Sequence, residues 1–194
     1  MELILASNNL DKLREVKKIM EPAGFTVLSQ REAGIELEAD ETGTTFSENS
    51  AIKAKALYEL VKKPVIADDS GIEVDYLNKE PGVYSARYGG EGVDDVGRCE
   101  LILSRLEGVE DSLRTARFVA VITYIDENGK MMQFEGRIEG RIGYKRIGDR
   151  GFGYDPIFMV GQRSLAEFTD SEKNAVSHRG EALRKLEKYL EGEC

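Results

Sequence analysis

Two adjacent carboxylates, Asp68 and Asp69, follow a short apolar run and precede Ser70 and Gly71. The apolar residues 65–67 predict a short buried strand that stops at the aspartates and opens onto a cleft. Like charges this close repel each other, and a bound divalent cation would relieve the repulsion. An acidic turn is the alternative interpretation, because Asp, Ser and Gly are all common turn residues.

The polar segment before the first predicted helix, Leu10–Met20, is a candidate phosphate site. A helix N-terminus presents backbone N–H groups and the positive end of its dipole, which suits a phosphate. Lys12 lies in the first turn, and Ser7, Asn8 and Asn9 add side-chain donors. A plain helix cap by Ser or Asn would give the same pattern, and the glycines of a Walker-type loop are absent.

Carboxylates and a lysine accompany the next predicted helix, which covers residues 45–62 and begins with the capping-box pattern Thr-Phe-Ser-Glu. The acidic stretch 36–43 before it contains Glu41, although most residues of such a stretch are expected in solvated loops. Asn49 and Lys53 are four residues apart on the helix. They therefore share a face, which points either to a binding site or into water.

Later segments are candidates for binding a flat base. Loop 148–156 has three glycines, which allow close approach of the backbone, and the rings of Phe152 and Tyr154 are suited to stacking. A turn packed over the core would have the same composition. Lys173 follows a second capping-box pattern, and the His-Arg pair 178–179 stands at the start of the last predicted helix. A single histidine is more often structural, but this pair would present several donors.

Length and charge limit the classes of function. The chain has 194 residues, enough for one domain, 1–194, with a sizeable core or with two lobes, and its formal net charge is −9. No apolar run reaches the ~20 residues of a membrane span, and the N-terminus lacks a signal-peptide pattern, so we expect a cytoplasmic protein. An acidic chain is a poor binder of long nucleic acid, yet it can bind a small polyanion in a local basic pocket.

Cys99, Cys194 and His178 are the only cysteines and the only histidine. A disulfide scaffold and a zinc site are therefore not expected. A metal here would be a hard cation held by carboxylates, Mg²⁺ or Mn²⁺. Because no serine-nucleophile motif is present, hydrolysis would use a metal-activated water with a carboxylate as general base.

Strands and helices follow each other along the chain, which predicts an α/β fold. Regions 117–125 and 131–142 flank an Asp-Glu-Asn-Gly turn and predict a hairpin, so the sheet is expected to be mixed and flanked by helices. Further strands are predicted over residues 2–6, 25–29, 72–76 and 157–160, and further helices over residues 94–107 and 179–190.

Taken in order, these motifs resemble the inosine triphosphate pyrophosphatase family from residue 2 to about residue 190. No single motif is decisive, but the ordered set is specific. The family often has small residues where Asp149 and Arg150 stand, which leaves the shape of that loop open. The matching segments are residues 7–12, 41–51, 67–71, 81–87 and 151–156, and Lys173 with residues 177–180.

The resemblance implies an elongated mixed α/β fold, with two lobes around a central nucleotide-binding cleft, and a homodimer. The implied reaction is hydrolysis of ITP, dITP or XTP between the α- and β-phosphates, which gives the monophosphate and pyrophosphate. Mg²⁺ is the implied cofactor, with Mn²⁺ as a substitute. Removal of these nucleotides would keep deaminated bases out of DNA and RNA.

The resemblance also implies roles for single residues. Glu41 and Asp69 would ligate Mg²⁺, Asp69 would accept the proton of the attacking water, and Asp68 would support the metal or its waters. Glu41 is chosen over Glu38 and Asp40 from its distance to the lysine of the following helix in the family pattern. The polyphosphate would be held by Ser7, Asn8, Asn9, Leu10, Asp11, Lys12 and Lys53, with Ser70 also contacting the substrate.

The base would stack on one aromatic ring and be read by donors along its edge. A 6-keto purine offers an acceptor at O6, where adenine has an amino donor, so donors at this point reward hypoxanthine and xanthine. The resemblance implies that Phe152 stacks on the base and that Gly153, Tyr154 and Asp155 complete this wall of the site. It implies that Lys173, His178 and Arg179 read the edge of the base.

Three alternatives remain at this stage. An enzyme of the related septum-inhibition type would hydrolyse modified pyrimidine triphosphates, but the Phe-Gly-Tyr-Asp and Ser-His-Arg segments argue against it. A non-catalytic nucleotide sensor would not need both Glu41 and Asp69. A scaffold protein would not need so many segments suited to a binding site.

Overall fold

The computed structural model describes residues 1–192, so Cys194 lies outside the described residues. Within them, one sheet has seven strands in the order β2-β1-β3-β4-β5-β6-β7. β1 pairs in parallel with β2 and β3, whereas β6 pairs antiparallel with β5 and β7, so the predicted mixed sheet of an α/β protein is confirmed. The strands are β1 Glu2–Leu5, β2 Thr26–Ser29, β3 Val65–Val74, β4 Thr115–Ile125, β5 Met131–Ile142, β6 Phe158–Val160 and β7 Arg163–Ser164. The α-helices are α1 Leu10–Met20, α2 Phe46–Val61, α3 Asp95–Arg105, α4 Asp170–Val176 and α5 His178–Leu190.

The chain forms two compact units, and the first combines three segments: Met1–Ser70, Ala120–Gly136 and the described residues from His178 onward. In it α1 packs against α5. Gly136 on β5 permits α5 to lie close to this strand, because a Cβ atom at position 136 would be 2.1 Å from the carbonyl oxygen of His178. The buried core beneath these helices includes Leu3, Leu5, Val16, Met20, Ile66, Ile122, Leu183 and Leu186.

The second unit comprises Gly71–Val119 and Arg137–Ser177. A fully buried arginine, Arg114, holds part of it together by donating to the carbonyl oxygens of Leu106, Ile142 and Gly143. Charge-assisted bonds of this kind satisfy carbonyl groups that water cannot reach. The core of this unit includes Ile72, Val74, Ile102, Phe118, Phe158 and Leu165.

Strand β3 corrects the first prediction of the sequence. It does not stop at Asp68 but runs for ten residues through Asp69, Ser70 and Gly71, so the acidic turn is wrong. The separate strand predicted over residues 72–76 is the continuation of β3. The two carboxylates are tolerated inside a strand because opposite charges lie against both of them, as described below.

The remaining elements agree closely with the sequence patterns. The predicted hairpin of β4 and β5 is confirmed, and α1 has its predicted bounds. Strand β7, only two residues long, was not predicted. None of the helices in residues 1–192 combines the length and the apolar character needed to cross a membrane.

Candidate active site

Asp68 is the centre of a buried cluster of charges in the first unit. Its side chain is 0% exposed, and the Nζ atom of Lys12 lies 2.6 Å from Oδ1. Arg179 Nε donates to Oδ2 at 2.8 Å, and the hydroxyl of Ser70 donates to Oδ1 at 2.9 Å. Burial acts to raise the pKa of Asp68, but Arg179 and Lys12 outweigh it and hold the pKa well below its ordinary value. At neutral pH Asp68 is therefore a charged anchor for two cations.

Arg179 lies in the first turn of α5 and is almost fully buried. Besides Asp68, its guanidinium donates to Glu15 of α1 and to the hydroxyl of Ser70. Burial acts to lower the pKa of Arg179, but Asp68 and Glu15 raise it above its ordinary value. The structure thus gives Arg179 carboxylate partners within the first unit, and its part in reading the base stays a prediction.

Asp69 belongs to a second cluster, because successive side chains of a strand point to opposite faces. Lys53 of α2 lies 2.8 Å from Asp69 Oδ1 and 2.7 Å from Glu41 Oε1. Burial acts to lower the pKa of Lys53, but the two carboxylates outweigh it and raise the pKa. The repulsion expected between Asp68 and Asp69 is thus resolved by separate cations on the two faces of β3.

The second carboxylate oxygen of Asp69, Oδ2, is buried and has no hydrogen-bond partner among residues 1–192. Burial raises the pKa of Asp69, and Lys53 offsets that effect only in part. A buried oxygen without a partner costs free energy, which a hard cation or a water held by one would recover.

Glu41 and Asp69 fit the predicted cation. The part of the chain that the structure describes contains no group of three or more His, Cys, Asp or Glu side chains placed to hold a metal ion. Mg²⁺, however, is usually bound through one or two carboxylates together with substrate phosphates. A pair of carboxylates with an unpartnered oxygen meets that requirement.

The segment before α1 acts as a helix cap. The Asn9 side chain accepts the backbone N–H groups of Asp11 and Lys12 at 2.9 and 3.0 Å, and Ser7 Oγ accepts that of Asn9. Asn8 and Leu10 are exposed. The capping interpretation is therefore confirmed, and the binding of phosphate by this segment stays a prediction.

The glycine-aromatic loop of the second unit is held by one buried carboxylate. Asp155 Oδ2 accepts from the backbone N–H of Phe152 at 2.9 Å and from Lys173 Nζ at 2.5 Å. The Lys173 ammonium also lies 4.7 Å from the centre of the Phe152 ring. Gly151 is required here, because a Cβ atom would lie 2.0 Å from Asp155 Oδ2. Asp155 and Lys173 thus fix the ring that was predicted to stack on the base.

Two further contacts tie down the same loop. Asp95, at the start of α3, accepts the backbone N–H of Gly153 at 2.8 Å. The Tyr154 hydroxyl donates to the carbonyl oxygen of Ser85 at 2.7 Å, and burial raises its pKa above the ordinary value. Tyr154 is therefore a buried support of the loop, and its place in the wall beside the base stays a prediction.

Sequence reasoning missed two residues that complete these clusters. Glu15 has a usable signal, because it is three residues from Lys12 and shares a face of α1 with it. Asp95 has none, since the contact with Gly153 joins residues 58 positions apart. His178 is buried at the start of α5, where its backbone packs against Gly136.

The fold and the clusters define an α/β protein with buried, ion-paired carboxylates on strand β3 and a tethered aromatic loop. The model of the Ham1 family matches residues 3–189, and the chain belongs to this family. The resemblance drawn from the sequence is confirmed by this match together with relatives that are named dITP/XTP pyrophosphatase.

Known proteins agree with this assignment over nearly the whole chain. A protein of Bacillus subtilis (strain 168) named dITP/XTP pyrophosphatase is 47% identical and is aligned over 98% of this chain and 97% of its own length. The solved structure of the Ham1 protein of Staphylococcus aureus covers 100% of both chains, with 39% identity and a TM-score of 0.88. A HAM1 protein of Coxiella burnetii covers 99% of both chains, with 40% identity and a TM-score of 0.89.

Proposed function

We propose that this protein is a nucleoside-triphosphate pyrophosphatase that hydrolyses ITP, dITP and XTP to the monophosphate and pyrophosphate. The enzyme class predicted from the sequence is confirmed by the names of close relatives, which are dITP/XTP pyrophosphatases. The observation that carries the chemistry is the Asp69 carboxylate, bound on one oxygen by Lys53 and unpartnered on the other among the described residues.

In this proposal Asp69 is the general base. The raised pKa of Asp69 lies closer to the pH at which the enzyme works, which makes proton transfer from water to the carboxylate more favourable. Lys53 fixes the orientation of Asp69 through Oδ1 and leaves Oδ2 for the attacking water. Glu41 and Asp69 would hold Mg²⁺, or Mn²⁺ in its place, which would neutralise charge on the phosphates and acidify bound water.

Substrate binding is proposed to use the residues named from the sequence. Lys12 and Lys53 supply positive charge for the polyphosphate, together with Ser70 and the segment 7–11. Phe152 offers its ring to the base, supported by the bonds of Asp155. Gly153 and Tyr154 complete the wall beside the base, and Lys173, His178 and Arg179 are assigned to reading its edge.

The setting of the reaction is also part of the proposal. We place the enzyme in the cytoplasm as a homodimer, acting on free nucleotides and not on nucleic acid or membranes. Its product, the monophosphate, is no substrate for polymerases, so turnover would keep deaminated bases out of DNA and RNA.

One assay tests this function. Pyrophosphate release is measured from ITP, XTP, GTP, ATP and a modified UTP, with and without Mg²⁺. We expect metal-dependent turnover of ITP and XTP and little of ATP, because donors at the base edge reject the 6-amino group. Equal rates on ATP would contradict the proposed selection of the base, and preference for the modified UTP would favour the septum-inhibition type.

The Asp69→Asn variant tests the general base in the same assay. It keeps the shape of the side chain but cannot accept the proton, so we expect turnover to be lost while binding of ITP stays measurable. Asp75→Asn is the matched control, since Asp75 follows the same strand and pairs with Lys79 and Arg117 in the second unit. Normal turnover by Asp69→Asn would remove Asp69 as the base.

A further inference from the structure

Asn49 is a buried amide that the proposed chemistry does not use. It lies in the first turns of α2 and is 0% exposed. Its Oδ1 atom accepts the backbone N–H of Gly43 at 2.8 Å, whereas Nδ2 has no hydrogen-bond partner among residues 1–192. A buried amide with an unsatisfied N–H₂ group destabilises the folded protein, so an apolar side chain would suit the core better. The bond to Gly43 is the contact that an apolar side chain could not make.

Residues 41–45, the turn that precedes α2, pack tightly on the start of that helix. A Cβ atom on Gly43 would lie 2.6 Å from Glu48 Cβ and 2.7 Å from Asn49 Oδ1. The next two residues are fixed as well, because Glu48 accepts the backbone N–H groups of Thr44 and Thr45. Side chains at the start of α2 therefore accept hydrogen bonds from three consecutive backbone N–H groups of the turn.

Glu41 lies two residues before Gly43, and Lys53 lies one helical turn after Asn49. The ion pair between Glu41 and Lys53 measures 2.7 Å. One face of α2 thus carries both the cation of this pair and the amide that anchors the turn bearing its carboxylate. Movement of the turn would move Glu41 relative to Lys53 and Asp69.

We propose that Asn49 is a positioning residue which, through the N–H of Gly43, sets the place of Glu41 beside Lys53 and Asp69. The inference rests on the proposed function in one respect, namely that Glu41 and Asp69 bind the catalytic cation. Outer-shell residues of this kind orient ligands, and their loss typically weakens metal binding by about 10–100-fold.

Binding of Mn²⁺ alone to the free enzyme, followed by electron paramagnetic resonance, tests the proposal without turnover. We expect Asn49→Ala to weaken Mn²⁺ binding by about tenfold or more. Hydrogen exchange of the peptide covering residues 41–45 should become faster, while the rest of α2 keeps its protection. Turnover of ITP at subsaturating Mn²⁺ should fall, and excess Mn²⁺ should recover part of it.

Gly43→Ala reaches the same turn by another route and keeps the test decisive if Asn49→Ala does not fold. Its Cβ atom would push the turn away from Asn49, so we expect a similar loss of Mn²⁺ affinity. In the double variant the losses should be less than additive, because both changes break one contact. Tyr58→Phe is the control on the same helix, since it removes a distant hydrogen bond to the carbonyl of Glu127 and should bind Mn²⁺ normally.

Unchanged Mn²⁺ affinity and unchanged exchange of residues 41–45 in folded Asn49→Ala would overturn the proposal. General loosening of α2 without selective loosening of the turn would overturn it too. If the wild-type enzyme binds Mn²⁺ but hydrolyses neither ITP nor XTP, the proposed function fails while the dependence of Mn²⁺ binding on Asn49 is still measured.

Discussion

Asp68 shows how a single buried carboxylate depends on its partners. Lys12 and Arg179 both lie within ion-pair distance of it, and its side chain has no exposed surface. Removal of one member of a buried ion pair leaves the others charged and unbalanced, which typically costs about 3–5 kcal/mol. The free energy lost on removing the Asp68 charge would therefore be a large part of the unfolding free energy of an ordinary domain.

We expect Asp68→Asn to lower the free energy of unfolding by about 3–5 kcal/mol at neutral pH. The pKa of Asp68 is depressed in the folded protein, so its contribution is complete above the unfolded pKa of about 3.9 and is lost as the pH falls through the lower, folded pKa. The difference between wild type and variant should therefore shrink in acid. Urea unfolding from neutral pH to about pH 3 measures it.

Asp111→Asn is the control for that measurement. Asp111 pairs with Arg141 through a side chain that is 56% exposed, and such pairs contribute about 0–1 kcal/mol. A loss for Asp68→Asn as small as that of the control, or one independent of pH, would contradict the interpretation of Asp68 as a buried anchor.

Candidate site residues could be named from the sequence, but the partners that the structure gives them could not. The expected repulsion between Asp68 and Asp69 led to the prediction of a cation, whereas the wrong end of the strand came from interpreting Asp, Ser and Gly as turn residues. Two lysines, Lys12 and Lys53, balance the two charges on opposite faces of β3. Lys12 is 56 positions from Asp68, and Lys53 is 16 positions from Asp69. Local sequence patterns contain no information on pairs so far apart in the chain. The family resemblance supplied the choice of Asp69 for chemistry.

Helix α5 carries Arg179 to the site, and its position depends on a glycine of another element. A Cβ atom on Gly136 would lie 2.1 Å from the carbonyl oxygen of His178 and 2.6 Å from the backbone nitrogen of Ala182. Both atoms belong to the backbone, so the whole start of α5 would have to move. The close approach of β5 and α5 is thus a condition for the Arg179–Asp68 pair.

We therefore expect Gly136→Ala to destabilise the protein by about 1–3 kcal/mol or more, as overpacking does. Because Arg179 moves with α5, turnover of ITP should also fall at temperatures where the variant is folded. Thermal unfolding and pyrophosphate release measure the two effects. Met131→Ala, at the more exposed start of the same strand, should change neither by much, and equal behaviour of the two variants would argue against the steric account.

Elements with local signals were predictable, and elements fixed by distant contacts were not. The capping boxes at Thr45 and Thr169 are both present, since each needs only four consecutive residues. The length of β3 was not predictable, because Asp68 and Asp69 disfavour a strand unless cations from α1, α2 and α5 neutralise them. The two-residue β7 has too little sequence for any periodicity.

At the scale of the whole molecule, the chain carries a net charge of −9, yet several large apolar side chains of the second unit are exposed. Tyr84 is 61% exposed, with the guanidinium of Arg87 over its ring, in the segment that the family resemblance covers at residues 81–87. Tyr and Arg are enriched at protein interfaces. This segment is therefore our candidate for the contact between two copies of the chain.

We expect the protein to sediment at twice the mass of one chain and Tyr84→Glu to sediment as a monomer, because an interface does not tolerate an unpaired buried charge. Leu60→Glu is the matched control, since Leu60 is also 61% exposed but lies on α2 of the first unit. Analytical ultracentrifugation distinguishes them. A monomeric wild type, or dissociation by both substitutions, would count against this surface.

The bond between Asp68 and Arg179 joins residues 111 positions apart, and this separation has a consequence for biosynthesis. At about 5–20 residues per second, a ribosome needs roughly 6–22 seconds to proceed from one to the other. Throughout that interval the carboxylate lacks its strongest partner and must stay hydrated. Asp68 is thus synthesised more than a hundred residues before Arg179, and the charge cluster proposed for the active site can be completed only after α5 has been made.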